Sequence, residues 1–168
     1  MPASTTANTE IMPHPTLTKI IGKPTQRSVT KLRSEALANA RTVHSDNGDG
    51  ILGHARIVLT GPEYTAASQG GVEYLTPAKP PRPVHALNAT ADTMYRTDKE
   101  YKEELAAWKL HQDTQKKILQ QILAAVDDTY TKALKDPLWA YATTTPLAII
   151  THLSNTYGKI KAQDLQEN

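Results

Sequence analysis

The chain has 168 residues, 39% of them hydrophobic, with no cysteine and no phenylalanine, enough for one ordinary domain or a small domain behind a loosely structured arm. The lack of cysteine excludes disulfides, a thiolate nucleophile and Cys-based zinc or iron–sulfur sites. Nineteen basic residues against seventeen acidic ones, a net charge of +2, exclude the strong electrostatic footprint of a dedicated nucleic-acid binder.

Residues 1–84 are interrupted throughout by proline and glycine, from Pro13 and Pro15 to Gly70 and Gly71, so this leader permits only short elements. One helix is predicted over residues 26–43, where Val29, Leu32, Ala36, Ala40 and Val43 recur at helical spacing behind a Thr25 cap. Residues 55–59 (ARIVL) read as a short strand or a buried segment. Pro77, Pro80, Pro81 and Pro83 make residues 76–84 an extended, polyproline-like connector. We place the domain boundary there, with a leader over 1–84 and a helical lobe over 85–168 that is expected to fold without it.

Beyond residue 88 glycine is absent until Gly158, and helix formers take over. Asn88 or Thr90 can cap a helix carrying Met94, Tyr101, Leu105 and Trp108 on one face. The apolar stripe lapses over residues 111–117 and resumes with Ile118, Leu119, Ile122, Leu123 and Val126, which predicts a bend or break near Asp113. A helical piece over 128–135 is stopped by Pro137. The clearest signal follows: Thr145 as cap, Pro146 at the first helical position, a stripe of Leu147, Ile149, Ile150, Leu153 and Tyr157, and Gly158 as a left-handed stop. A last short segment, 162–168, ends before completing a pattern, so the chain reads as the front part of a longer protein. The fold class is mainly α, a small helical bundle preceded by an irregular arm with one helix and a possible short strand.

No motif gives a catalytic or cofactor site. The run from Ser45 to Gly50 has the oxygen-rich look of a calcium loop, but with Gly50 at the sixth place the first ligand would be Ser45 and the closing Glu position is Arg56, so it reads as a turn. Gly48, Gly50 and Gly53 have dinucleotide-fingerprint spacing in the wrong context, after a helix rather than a strand. The six histidines show no i, i+4 pair for a shared metal and read as surface or capping residues. Asp127 and Asp128 read as a solvated turn, and Asn88-Ala89-Thr90 as a cap rather than a glycosylation site. No apolar run approaches the ~20 residues of a membrane span, and MPASTTANTE lacks the features of a signal peptide. The expectation is a non-enzymatic protein, with no cofactor, metal or small-molecule substrate and no membrane partner.

The segment from Leu105 to Asn168 carries Trp108, Ile118 and Ile122, then Asp136-Pro137-Leu138 and Ala140-Tyr141. After them comes Thr145-Pro146-Leu147-Ala148-Ile149-Ile150, leading to Leu153, Tyr157 and Gly158. This order resembles the capsid region of Gag from copia-type LTR retrotransposons. Residues 17–24 and 53–59 are similar to a Gag-like lineage of algal and other protist genomes. The family pattern Trp-x-x-Leu-x-x-x-Tyr appears here as Ile150-x-x-Leu153-x-x-x-Tyr157, with an aliphatic residue at the tryptophan position.

The resemblance implies the N-terminal lobe of a capsid, packed into a lattice or shell around the element's RNA in a cytoplasmic particle. Its partner is then another copy of itself, with core or assembly positions at Trp108, Ile118, Ile122, Trp139, Ile150, Leu153 and Tyr157. Near-neutral charge suits such a lattice, because like subunits then do not repel. Two other functions remain. Lys19, Lys23, Arg27, Lys31 and Arg33 in the weakly basic leader could contact RNA or DNA, or could be the solvated face of the first helix. A helical adaptor for a different protein, derived from an old element, is the second.

Overall fold

Threonine caps set the start of each of the four α-helices among the described residues. The computed structural model describes residues 12–158; the expected segment at 162–168 lies outside them. In α1 (Gln26–Thr42) the Thr25 hydroxyl accepts from the Ser28 amide at 3.2 Å and the Ser28 hydroxyl accepts from the Thr25 amide at 2.8 Å, a reciprocal cap that satisfies two orphan donors. Thr60 and Glu63 make the same exchange at the head of α2 (Gly61–Ala67), a helix the sequence reading does not predict. Thr90 caps α3 (Ala91–Ala125) through the Thr93 amide, and Thr145 caps α4 (Pro146–Thr156) through that of Ala148, with Pro146 in the first turn. The fold is mainly helical, with only an isolated bridge between Asp136 and Ala140 among the described residues.

Four details differ from the sequence reading. α3 runs unbroken through Asp113 for 35 residues, about 52 Å at 1.5 Å per residue. Its buried face continues across the apolar lapse through His111 and Thr114, and the Thr114 hydroxyl donates to the Leu110 carbonyl. Residues 128–135 form two short 3-10 turns, Asp128–Tyr130 and Lys132–Leu134, rather than a helix. Of the two readings of the ARIVL segment, the buried one holds and the strand does not: it contains a 3-10 turn, Ala55–Ile57. Gly158 is not left-handed; the space there suits glycine because a Cβ would lie 2.8 Å from the Ser154 backbone.

The main core does not divide at residue 84. Leu17, Ile20, Val29, Leu32, Ala36 and Val58 from the leader pack in one cluster with Ile118, Ile122, Ala125, Ile149, Ile150 and Leu153. Residues 12–20 are fastened across it by polar contacts. Asn39, fully buried, accepts from the His14 amide at 2.9 Å and donates to the His14 carbonyl and to Gln121 Oε1. Gln121 in turn donates to the Pro15 carbonyl, and the Ile20 amide donates to the last carbonyl of α3, Ala125, at 2.8 Å. These buried groups are matched, as a low-dielectric interior requires. The expected arm is thus part of the bundle.

The proline-rich connector, which has no regular secondary structure over residues 76–84, runs beside the first half of α3. Lys79 Nζ lies 5.4 Å from the Trp108 ring centroid, and His85 contacts Asp98 at 3.0 Å. No helix among the described residues is long and apolar enough to cross a membrane.

Candidate functional site

Between α3 and α4 the chain makes a knuckle whose tip presents two large apolar side chains to solvent. Asp136 and Pro137 supply the first two positions of a tight turn, where aspartate and proline are favoured. The Asp136 carboxylate accepts from the Leu138 and Trp139 amides, each at 2.8 Å. Those two amides, Trp139's first, hold its carboxyl below the usual range. The turn is closed by paired backbone bonds between Asp136 and Ala140, at 2.8 and 2.9 Å. Ala140 takes a left-handed φ of 51°, a conformation that costs a non-glycine residue roughly 1–3 kcal/mol and persists only where its surroundings enforce it.

The base of the knuckle is anchored to the core. The Tyr141 hydroxyl donates to Asp128 at 2.6 Å and contacts the hydroxyl of fully buried Thr131 at 2.8 Å. Tyr130 stacks edge-on against Tyr157 with centroids 5.5 Å apart. On this rigid mount Leu138 is 76% and Trp139 63% exposed. Asp127 and Asp128 are both absorbed here, the first capping a 3-10 turn through the Thr129 amide and the second holding Tyr141.

The other positions named from sequence separate into groups. Ile118, Ile122, Ile150 and Leu153 are core, Tyr157 packs against that core, and Trp108 is half-buried beneath Lys79. Trp139 alone among them stands in solvent. Of the basic residues, Lys19, Lys23 and Lys31 line one groove of about 260 Å³ with Thr18, Ile20, Ile21, Thr25 and Ser28. Arg27 is exposed outside it, and Arg33 is engaged with Glu63. Comparison with protein-family models, curated proteins and solved structures finds no match. Function therefore has to be argued from this geometry.

One cluster escaped the sequence reading. Ala55, Leu59, Tyr64 and Tyr74 form a second, smaller core, and beside it His54 and His111 are 1% and 3% exposed, buried rather than at the surface. The glycine spacing of the loop before it has a packing cause. A Cβ on Gly48 would lie 1.9 Å from the Tyr64 hydroxyl oxygen, and Gly53 takes φ +53° against the carbonyls that end α1. In the run from Ser45 to Gly50, the Asp49 oxygens accept from the Ile51, Leu52 and Gln69 amides and the Tyr64 hydroxyl. These contacts, the Leu52 amide first, pull its carboxyl down to about 2. Among the described residues no group of three or more His, Asp or Glu side chains is placed to hold a metal ion.

Proposed function

We propose that this chain is a structural protein that associates with copies of itself, a capsid-type building block of the kind its resemblance to copia-type Gag implies, acting in a cytoplasmic particle. The observation that carries the reading is the braced knuckle. A leucine and a tryptophan held in solvent by a strained, fully bonded turn gain nothing for the isolated fold. Tryptophan is the residue most enriched among the dominant contacts of protein interfaces. A second copy is the partner of choice because a net charge of +2 opposes close packing of like chains only weakly. In a closed lattice each contact can be weak, since many act together.

The test compares wild type with Trp139→Ala by sedimentation equilibrium from micromolar to millimolar concentration. Loss of an interface tryptophan should weaken association by roughly 30-fold, about 2 kcal/mol, and leave the melting temperature unchanged because the ring is outside the core. Equal association by both proteins would remove the knuckle from the interface. A wild type that stays monomeric throughout would instead support the adaptor reading.

The groove of Lys19, Lys23 and Lys31 favours a second, subsidiary role in contacting RNA phosphates. Replacing all three lysines by alanine should lower the slope of log affinity against log salt by about 2 for a single strand. An unchanged slope would exclude the groove.

A further inference from the structure

Near the smaller core the fold buries two imidazoles against each other and leaves one nitrogen with no partner. The ring centroids of His54 and His111 are 5.7 Å apart at 37°. His54 Nδ1 lies 2.7 Å from the Val43 carbonyl and therefore carries the proton, so Nε2 is the lone-pair nitrogen; it is buried and unpartnered. His111 Nδ1 lies 3.0 Å from the Tyr74 hydroxyl, which is 3.2 Å from the Ser45 hydroxyl. With Ser45 donating to Tyr74 and Tyr74 donating to His111, the chain of bonds is complete only while His111 is neutral. No acceptor waits for a proton at His54 Nε2, and at His111 a side-chain hydrogen bond to Gln115 that favours the charged ring is outweighed by burial and by His54. At His54 Nε2 a proton would be a buried donor facing nothing, and at His111 Nδ1 it would confront another donor.

We propose that the His54–His111 pair is an acid-sensitive latch, whose protonation frees residues 44–54, α2 and the start of the connector from α3, while Ile57 and Val58 stay in the closed aliphatic core. The position of the pair makes this selective. Val43 ends α1, His54 and Tyr64 belong to the loop and α2, Tyr74 leads into the connector, and His111 is on α3, so four pieces of chain meet at these rings.

The charges around the pair do not relieve it. Arg56 on the 3-10 turn and His44 in the loop oppose a positive imidazole. Asp46 and Glu103 stand with His44 and His54 around a cavity of about 380 Å³ but are themselves solvent-exposed. Asp49 is consumed by amides. The Tyr64 and Tyr74 phenols are pushed up by burial and stay neutral.

Burial likewise pushes His54 down, and burial with the neighbouring His54 and Arg56 takes His111 to about 4. Both folded values lie below the ordinary value of 6.5. The opened form therefore binds more protons, and closure is fully stable above that value and weakens as pH falls from 6.5 toward 4. Carboxylates contribute lower still, Asp49 at about 2. Between pH 7.5 and pH 5, His111 alone should raise the opening constant roughly 30-fold.

The test is amide hydrogen exchange by NMR on the full chain at pH 7.5 and 5.0, corrected for intrinsic rates. The slow amides of Tyr64 and Ser68 should lose about 30-fold in protection at pH 5.0, while those of Ile149 and Leu153 in α4 hold theirs. His54→Gln/His111→Gln should flatten the difference. Should that variant fold poorly, the wild-type ring signals decide, since both imidazoles should titrate below the ordinary 6.5, His111 at about 4. Equal protection at the two pH values, acid opening that persists in a folded double variant, or ring titration near 6.5 would each overturn the latch.

Discussion

Where α1, the end of α3 and α4 meet, the buried side chains are almost all aliphatic, and shape alone holds them: Leu32, Ile118, Ile122, Ile149 and Leu153 are each at or below 1% exposure. The neighbouring cluster of Tyr64, Tyr74, His54 and His111 is just as buried but depends on hydroxyl and imidazole bonds being matched. The first region's cluster holds no imidazole or carboxylate, and against the raising effect of burial the Thr18 bonds keep neighbouring Glu35 below the usual carboxylate range, so it should tolerate pH down to 5. The second depends on protonation state, because an unmatched polar group in a low-dielectric interior costs far more than a matched one gains. Two packed regions of one small fold can therefore fail under different conditions.

The comparison can be broken most completely by cutting it in two. Residues 85–168 alone lose Leu17, Ile20, Val29, Leu32 and Ala36 from the shared core, and a chain of that size has little margin. Circular dichroism of this fragment should show no cooperative melt; a sharp helical transition would make the rear half a domain in its own right. Next comes Leu153→Ala, at a position with 0% exposure. It should cost about 2–5 kcal/mol by denaturant titration, equally at pH 7.5 and 5. A cost of a few tenths would displace Leu153 from the core. The smallest effect belongs to Tyr74→Phe, which removes the hydroxyl between Ser45 and His111 and should cost about 1–2 kcal/mol at pH 7.5. Its cost should shrink only as pH falls toward 4, where His111, at about 4, takes up its proton. A pH-independent cost would mean the hydroxyl is not coupled to the imidazole.

Much of the larger region was legible from the sequence, and little of the smaller. α1 and α4 announce themselves because their caps, Thr25 and Thr145-Pro146, are local and their stripes are apolar. α3 looks broken near Asp113 because hydrophobic periodicity cannot see that His111 and Thr114 are buried polar residues, the first partnered by distant Tyr74 and the second by the Leu110 carbonyl one turn back. α2 has only seven residues and no stripe; its Thr60–Glu63 capping box was the available signal. The membership of the leader in the core rests on contacts such as Ile20 with Ala125, which no local pattern encodes. At the candidate site the sequence marks Trp139 and the Asp136–Pro137 turn. It does not show that Ile150 and Leu153 face inward while Trp139 faces out, since exposure is a property of the assembled bundle.

That outward tryptophan is the basis for reading this chain as a self-associating structural protein. The most direct measurement is negative-stain electron microscopy of wild type and Trp139→Ala at millimolar concentration in phosphate, a salt that strengthens apolar burial. Wild type is predicted to form regular sheets, tubes or small shells that Trp139→Ala does not form. Monodisperse particles of single-chain size for wild type under those conditions, or identical lattices from both proteins, would contradict it.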